Sequence, residues 1–252
     1  MRAFSLITVV CAALGSTLLA RGQALELGVR YWEMKPGGTV SVGSGGTAGT
    51  TVDIKDDLGY RSTEQIFGFD AALGYAGEFH VSYFAIDASA RNTIEMPITY
   101  DDITFAADAN VRSSLDADFL RLAYRHPLGV EPVSGGLLAG VQWVDMKSEV
   151  EADGFGWAKA KANAVLPVVG VQLRVEPTPI LRLELGLTGG TWDWSSTRVT
   201  FWDGEASLRL LVYPFFAGFG YRHVAVEGRE NGVPLDIDLN FRGPQFIGGF
   251  VF

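Results

Sequence analysis

Val169-Gly170-Val171-Gln172-Leu173-Arg174-Val175-Glu176, then Pro177-Thr178-Pro179, then Leu181-Arg182-Leu183-Glu184-Leu185-Gly186-Leu187 is the stretch from which the rest of the chain can be read. Apolar and polar residues alternate with period two on both sides of a proline turn. That is the pattern of a β-hairpin with one apolar and one polar face. Leu25 to Tyr31 and Leu235 to Arg242 repeat the alternation almost without error. Weaker versions run through Gln65–Tyr75, Phe79–Asp87, Val111–Arg125, Leu137–Lys147, Thr200–Tyr213 and Phe215–Val226. Ten strands result, with no helix-period segment between them.

The connections fall into two kinds. Short turns are expected at Ala76-Gly77, Pro177-Thr178-Pro179 and Pro214, with a longer one at Pro127–Gly135. Long loops are expected at Pro36–Arg61, Arg91–Asn110, Ser148–Ala158, Ser195–Arg198 and Gly228–Pro234. Long and short alternate along the chain, as they do when antiparallel strands run up and down through a membrane. No stretch beyond residue 20 approaches the roughly 18 consecutive apolar residues that a transmembrane helix needs. Membrane residence must therefore be by strands.

Ahead of the strands, Arg2, an apolar run over residues 3–20 and the small residues around Gly22-Gln23-Ala24 read as a cleavable export signal, 1–24. A single domain, 25–252, follows. Cys11, the one cysteine, lies within that leader. The rest of the chain then has no disulfide, thiolate nucleophile or cysteine ligand. With 29 Asp and Glu against 20 Lys and Arg, the balance argues against nucleic acid as a partner.

A soluble sandwich turns its apolar faces inward, whereas a membrane barrel turns them outward. Three features favour the barrel. Trp32, Trp143, Trp157, Trp192, Trp194 and Trp202 gather toward the long-loop ends, while Tyr75, Phe79, Tyr124, Tyr213, Phe215, Phe250 and Phe252 gather toward the short turns. Two aromatic bands a strand length apart suit two membrane interfaces. The polar faces carry Arg30, Arg174, Arg182, Arg209, Arg222 and Arg242 beside Glu26, Asp70, Asp116, Asp118, Glu184, Glu205, Asp236, Asp238 and Gln172. Planar guanidinium groups suit an enclosed ion-pair network, so these residues are expected to line the lumen. Lysine, by contrast, is confined to Lys35, Lys55, Lys147, Lys159 and Lys161, at or beyond the long-loop ends. Finally, Gly68, Gly74, Gly140, Gly170, Gly186, Gly218 and Gly220 share the inferred inner face, leaving room for large neighbours.

The leader, the ten amphipathic strands, the loop asymmetry and the ending Phe246/Gly248/Phe250/Phe252 together resemble small bacterial outer-membrane β-barrel proteins. The resemblance implies an all-β, antiparallel up-and-down transmembrane barrel of ten strands, with eight or twelve as alternatives. It also implies periplasmic termini, extracellular long loops and a C-terminal insertion signal at Phe246, Phe250 and Phe252. Barrel assembly machinery and outer-membrane lipids, lipopolysaccharide among them, are the implied partners. A monomer is favoured.

Chemistry is harder to find. His80-Val81-Ser82 resembles the His-x-Ser of outer-membrane lipid A deacylases, which face the outer-leaflet lipid. Here the pair lies near the short-turn end, on the polar face, with no acid placed beside it. Asp101-Asp102, Asp236, Asp238 and His223 invite comparison with omptin proteases, but the chain has no Asp-x-His. Asp53, Asp56 and Asp57 read as a solvated acidic loop ahead of a calcium site. No catalytic residue, metal or cofactor is expected. The leading expectation is a non-enzymatic barrel, structural or a narrow channel for small polar solutes or ions. The alternative is a surface-binding barrel acting through its loops, with Lys147, Lys159 and Lys161 available to lipopolysaccharide phosphates, and a lipid-modifying enzyme comes third.

Overall fold

A computed structural model describes residues 24–43, 49–74, 77–100, 103–130, 132–152, 154, 156–194, 197–230 and 235–252. The proposed leader, Tyr75-Ala76 and Asp101-Asp102 lie outside these residues. Ten long strands form the wall: β1 (Ala24–Val42), β3 (Glu64–Gly74), β4 (Glu78–Thr93), β7 (Asn110–Val130), β8 (Val133–Ala152), β9 (Gly156–Thr178), β10 (Leu181–Trp194), β11 (Thr197–Val212), β12 (Phe215–Glu230) and β13 (Leu235–Val251). Each pairs antiparallel with the next, and β13 returns to pair with β1. Closure leaves no free edge, which is the condition for a sheet to sit in lipid. Among the described residues there is no helix.

Several expected loops are strand. β1 continues to Val42, β8 to Ala152 and β12 to Glu230, and β9 begins at Gly156. The wall strands reach 23 residues in β9, whereas about 9–11 suffice to cross a bilayer. Much of the barrel therefore stands clear of the membrane. Three short strands fill its outer end. β2 (Val52–Asp53) pairs with Thr39 and Val40 of β1, and β5 (Ile98–Tyr100) forms a hairpin with β6 (Ile103–Phe105). Backbone and side-chain bonds between Thr50 and Thr99 tie the two loops together. Val52, Ile54, Leu58, Tyr60, Ile98, Tyr100 and Phe105 are buried there, and burial pushes the Tyr60 hydroxyl pKa up.

The acidic loop is folded by its own carboxylates. Asp53 Oδ1 accepts from the amides of Lys55 and Asp56, at 2.8 Å each, and Asp57 accepts from the amide of Asp53 at 2.8 Å. Asn92 donates to the carbonyls of Asp56 and Asp57, pinning the turn to β4.

The wall strands keep one face inward, but on most of them the chemistry of that face inverts partway along. On β1 the inward residues run Glu26, Gly28, Arg30, then Trp32 and Met34, while the outward ones run Leu25, Leu27, Val29, Tyr31, then Glu33 and Lys35. On β7 the inward series is Arg125, Ala123, Arg121, then Phe119, Ala117 and Leu115. Its outward series is Tyr124, Leu122, Leu120, then Asp118 and Asp116. Two solvents explain this. Where the wall meets lipid its outside must be apolar, and polar groups are left for the inside. Where the wall meets water the outside must be polar, and the inside becomes a conventional apolar core. In the lower zone Phe67 and Val212 are 66% and 67% exposed, among a ring of outward Val, Leu and Phe. A ring that large has no stable place in water.

The seam between β1 and β13 carries one interruption. Register holds from Glu26↔Val251 to Trp32↔Gln245 and resumes at Lys35↔Arg242. Between them Pro244 has no amide hydrogen to give. A Cβ built at Gly243 would stand 1.8 Å from the carbonyl oxygen of Glu33, so only glycine fits. We expect Gly243→Val to open the seam and cost about 1–3 kcal/mol. Gly204→Ala is the control, since its Cβ would meet nothing nearer than 3.7 Å. Urea midpoints in lipid vesicles measure both, and equal midpoints would show that the close approach does not matter.

Candidate functional site

The lower lumen is filled by ion pairs. Among the described residues, seven inward arginines (Arg30, Arg121, Arg125, Arg174, Arg182, Arg209, Arg222) meet seven carboxylates (Glu26, Asp70, Glu78, Glu176, Glu184, Asp203, Glu205). With equal numbers, the interior needs no counterion. At the short-turn end, Glu78 receives Arg174 and Arg125 at 3.3 Å each and lies 3.0 Å from His80 Nε2. Above it, Glu184 is bridged by Arg174 at 2.9 Å and Arg209 at 2.6 Å, and Glu26 by Arg182 at 3.0 Å and Arg209 at 2.6 Å. Arg30 then spans Asp70 at 3.0 Å and Glu205 at 2.5 Å and donates to Gln245. A cavity of about 110 Å³ lies among these layers, room for a few waters.

Arg222 marks the top of the charged zone. It forks onto Asp203 at 3.0 and 2.8 Å, and Arg121 adds a third bond to the same carboxylate at 2.9 Å. The other side of its guanidinium lies over Phe84, 4.4 Å from the ring centroid, and 5.5 Å from that of Trp32. One cation thus joins the ionic zone to the apolar one. Above it five aromatics from β1, β4, β7, β11 and β13 close the bore: Trp32, Phe84, Phe119, Phe201 and Phe241, none more than 3% exposed. Phe84 stacks on Phe119 at 4.5 Å and 9°, and Phe201 and Phe241 flank Phe119 at 6.3 and 6.4 Å. Such contacts add roughly 0.5–1.5 kcal/mol each beyond burial.

The expected lumen residues divide. Glu26, Arg30, Asp70, Gln172, Arg174, Arg182, Glu184, Glu205, Arg209 and Arg222 all face inward below the seal. Asp116, Asp118, Asp236, Asp238 and Arg242 face outward instead, above the lipid-facing ring. They lie past the inversion, where the polar face of the strand is its outside and not its inside. Asp118 there accepts from Tyr83 at 2.6 Å, and Asp236 meets Arg229 at 3.4 Å in solvent. Trp32 is likewise not part of an outer girdle. It is fully buried, and its indole donates to the Gly243 carbonyl at 3.2 Å. Trp143, Trp192 and Trp202 sit toward the loop end of the wall, the last two substantially exposed.

Residues missed from the sequence include Arg121, Arg125, Asp203, Glu78 and Gln245. A signal was present. Arg121 and Arg125 have odd numbers, Asp116 and Asp118 even ones, and one continuous strand cannot hold both sets inside. Glu78 also corrects the reading of His80 and Ser82, because it places an acid beside them on the inward face of β4. Ser82 is buried opposite Asp70 within the ion-pair zone. His223, Asp236 and Asp238 lie on the outer face, and His126 is exposed near the β7–β8 turn. Phe252 stacks on Phe250 at 6.1 Å, and Phe250 meets Phe215 at 5.1 Å, in the lower outward ring.

A closed ten-stranded wall, apolar outside and ionic inside, defines the class of transmembrane β-barrels. No protein-family model matches the sequence, and none of the curated proteins matches it. Among solved structures, the outer membrane protease OmpT of Escherichia coli aligns over 91% of this chain and 97% of its own, with TM-score 0.56 and 10% identity. The transport unit of the autotransporter AIDA-I of Escherichia coli aligns over 92% and 91%, with TM-score 0.40 and 10% identity. Ail, the attachment invasion locus protein of Yersinia pestis, aligns over 91% and 98%, with TM-score 0.36 and 10% identity. The first likeness establishes the barrel fold and nothing of its chemistry. The other two add nothing to it.

Removing the carboxylate of the Arg222–Asp203–Arg121 group leaves two guanidinium groups short of their anion. Asp203→Asn is expected to cost about 3–5 kcal/mol. Asp236→Asn, which breaks a pair 77% and 56% exposed, should change stability by no more than about 0.5 kcal/mol. Denaturant titration of the refolded barrels compares them, and similar losses from both would show that the buried group carries no special weight.

Proposed function

We propose that this protein is a sealed outer-membrane barrel that acts through the rigid surface it raises above the bilayer, without passing solutes. The aromatic layer carries this reading. Five rings close the bore, and the loops holding β2, β5 and β6 fill the space above them with apolar side chains. Below the layer, seven arginines and seven carboxylates neutralise one another around about 110 Å³. A conduit for ions needs binding sites that are open and weakly held, and this lumen offers paired charges under an apolar stopper. The Glu78–His80–Ser82 run lies beneath the stopper, where no sizeable substrate fits, which supports a non-catalytic role.

The lower outward ring sets the protein in the membrane, with the short-turn end and both ends of the described wall on the periplasmic side. The extended end of the wall, with the loops holding β2, β5 and β6, is extracellular. Phe246, Phe250 and Phe252 are the insertion signal offered to the barrel assembly machinery. The chain closes its own sheet and works as a monomer.

Planar-bilayer recordings test the seal. The wild-type barrel is expected to give no discrete current steps at any voltage at which the bilayer itself holds. Regular unitary steps from correctly folded protein would overturn the reading and restore the conduit.

A further inference from the structure

The outward face just above the lipid-facing ring is divided by charge. On β4, β7 and β8 the first charged outward residues are Asp87, Asp118 and Asp145. On β12 and β13 the first are His223 and Arg242, and on β1 Lys35 follows one outward step after Glu33; His223, Arg242 and Lys35 stand side by side. Arg242 is the register partner of both His223 and Lys35. All three are exposed, and among the described residues none has an ion-pair or side-chain hydrogen-bond partner. Like charges directly opposite one another on adjacent strands destabilise a sheet unless something neutralises them. Glu33 flanks Lys35 on β1, while Glu227 and Asp238 lie two outward steps farther from the membrane.

Their level is informative. One or two outward steps toward the periplasmic end stand Tyr221, Phe246 and Tyr31, the last two with rings 6.3 Å apart. These aromatics mark the boundary at which headgroups begin. Two permanent cations and an imidazole on strands about 4.8 Å apart can bracket one tetrahedral anion. Trp202 and Asn240, one step above, offer a ring face and an amide to an attached sugar. The rim lysines are less suited, because Lys147 and Lys159 both pair with Glu149, at 2.9 and 2.8 Å.

We infer that Lys35, Arg242 and His223 form a lateral site for a phosphate group of lipid A in the outer leaflet. A phosphomonoester on a sugar carries about −1.5 to −2 charge, which matches two permanent cations, whereas a phospholipid diester carries only one. The inference rests on the outer-membrane placement proposed above.

Native mass spectrometry of the full chain in detergent tests it, with bisphosphorylated lipid A, dephosphorylated lipid A and phosphatidylglycerol as probes. The wild type should retain bisphosphorylated lipid A, and Lys35→Ala/Arg242→Ala should weaken retention at least about tenfold. Asp145→Ala should leave it unchanged, and Arg242→Lys should keep most of it. If the double variant does not fold, Arg242→Gln alone should still show a several-fold loss. Equal retention by wild type and folded variant overturns the site. Equal retention of phosphatidylglycerol or of dephosphorylated lipid A overturns the choice of ligand. Membrane fractionation separates the two levels of the argument. Wild-type protein absent from the outer membrane refutes the placement, whereas correct fractionation with unchanged lipid retention refutes only the site.

Discussion

Closure of β13 onto β1 is the constraint on which everything else depends. An open sheet in lipid would leave a row of unpaired amides and carbonyls, each costing several kcal/mol, so the wall must meet itself. Meeting itself fixes the circumference, and a fixed circumference fixes a lumen that must be filled. Here it is filled twice, by ion pairs where the outside is lipid and by aromatic and aliphatic side chains where the outside is water. The glycine at 243 and the proline at 244 mark where that closure is tightest.

The change of filling is a consequence of parity. A strand cannot rotate its side chains halfway along without a bulge, so the same inward series must serve both zones. On β1 the switch comes between Arg30 and Trp32, on β7 between Arg121 and Phe119, and on β13 between Gln245 and Phe241. Arg222 makes the two zones compatible. Its edge satisfies Asp203 while its face covers Phe84, so neither the carboxylate nor the ring meets an unsuitable neighbour. Buried ion pairs are seldom the most stabilising way to fill space, but they are demanding about geometry, and that favours a single arrangement of the wall.

Strand number, antiparallel order and the ionic character of the lower lumen were legible because period-two alternation is a local property. The runs Val169–Glu176 and Leu181–Leu187 show it directly, and their Arg174, Arg182 and Glu184 do face inward. The upper zone was harder to read. At Leu235–Arg242 the alternation is as clean as anywhere, yet its polar members point out, since periodicity reports that two faces differ and not which one is inside. The strand extensions past Pro36, Ser148 and Gly228 read as loops in the sequence because glycine and charge are common there. In an extramembrane wall, charged residues are simply the outer face. The seal was hidden for another reason: Trp32, Phe84, Phe119, Phe201 and Phe241 are far apart in sequence and meet only across the bore.

The interior ion pairs also bear on how the barrel comes together. Glu205 pairs with Arg30 from 175 residues away, while Glu26 pairs with Arg209 across 183 residues and with Arg182 across 156. A partly inserted wall holding only its first strands would present Glu26 to the bilayer with no partner and Arg30 with Asp70 alone, and one holding only its last strands would leave Glu205 without Arg30 and Arg209 without Glu26. Complete pairing is a property of the finished ring alone. Insertion strand by strand into lipid would therefore meet an electrostatic barrier that disappears only when the circle is complete, and this chemistry favours assembling the whole wall in a sheltered place before lipid surrounds it.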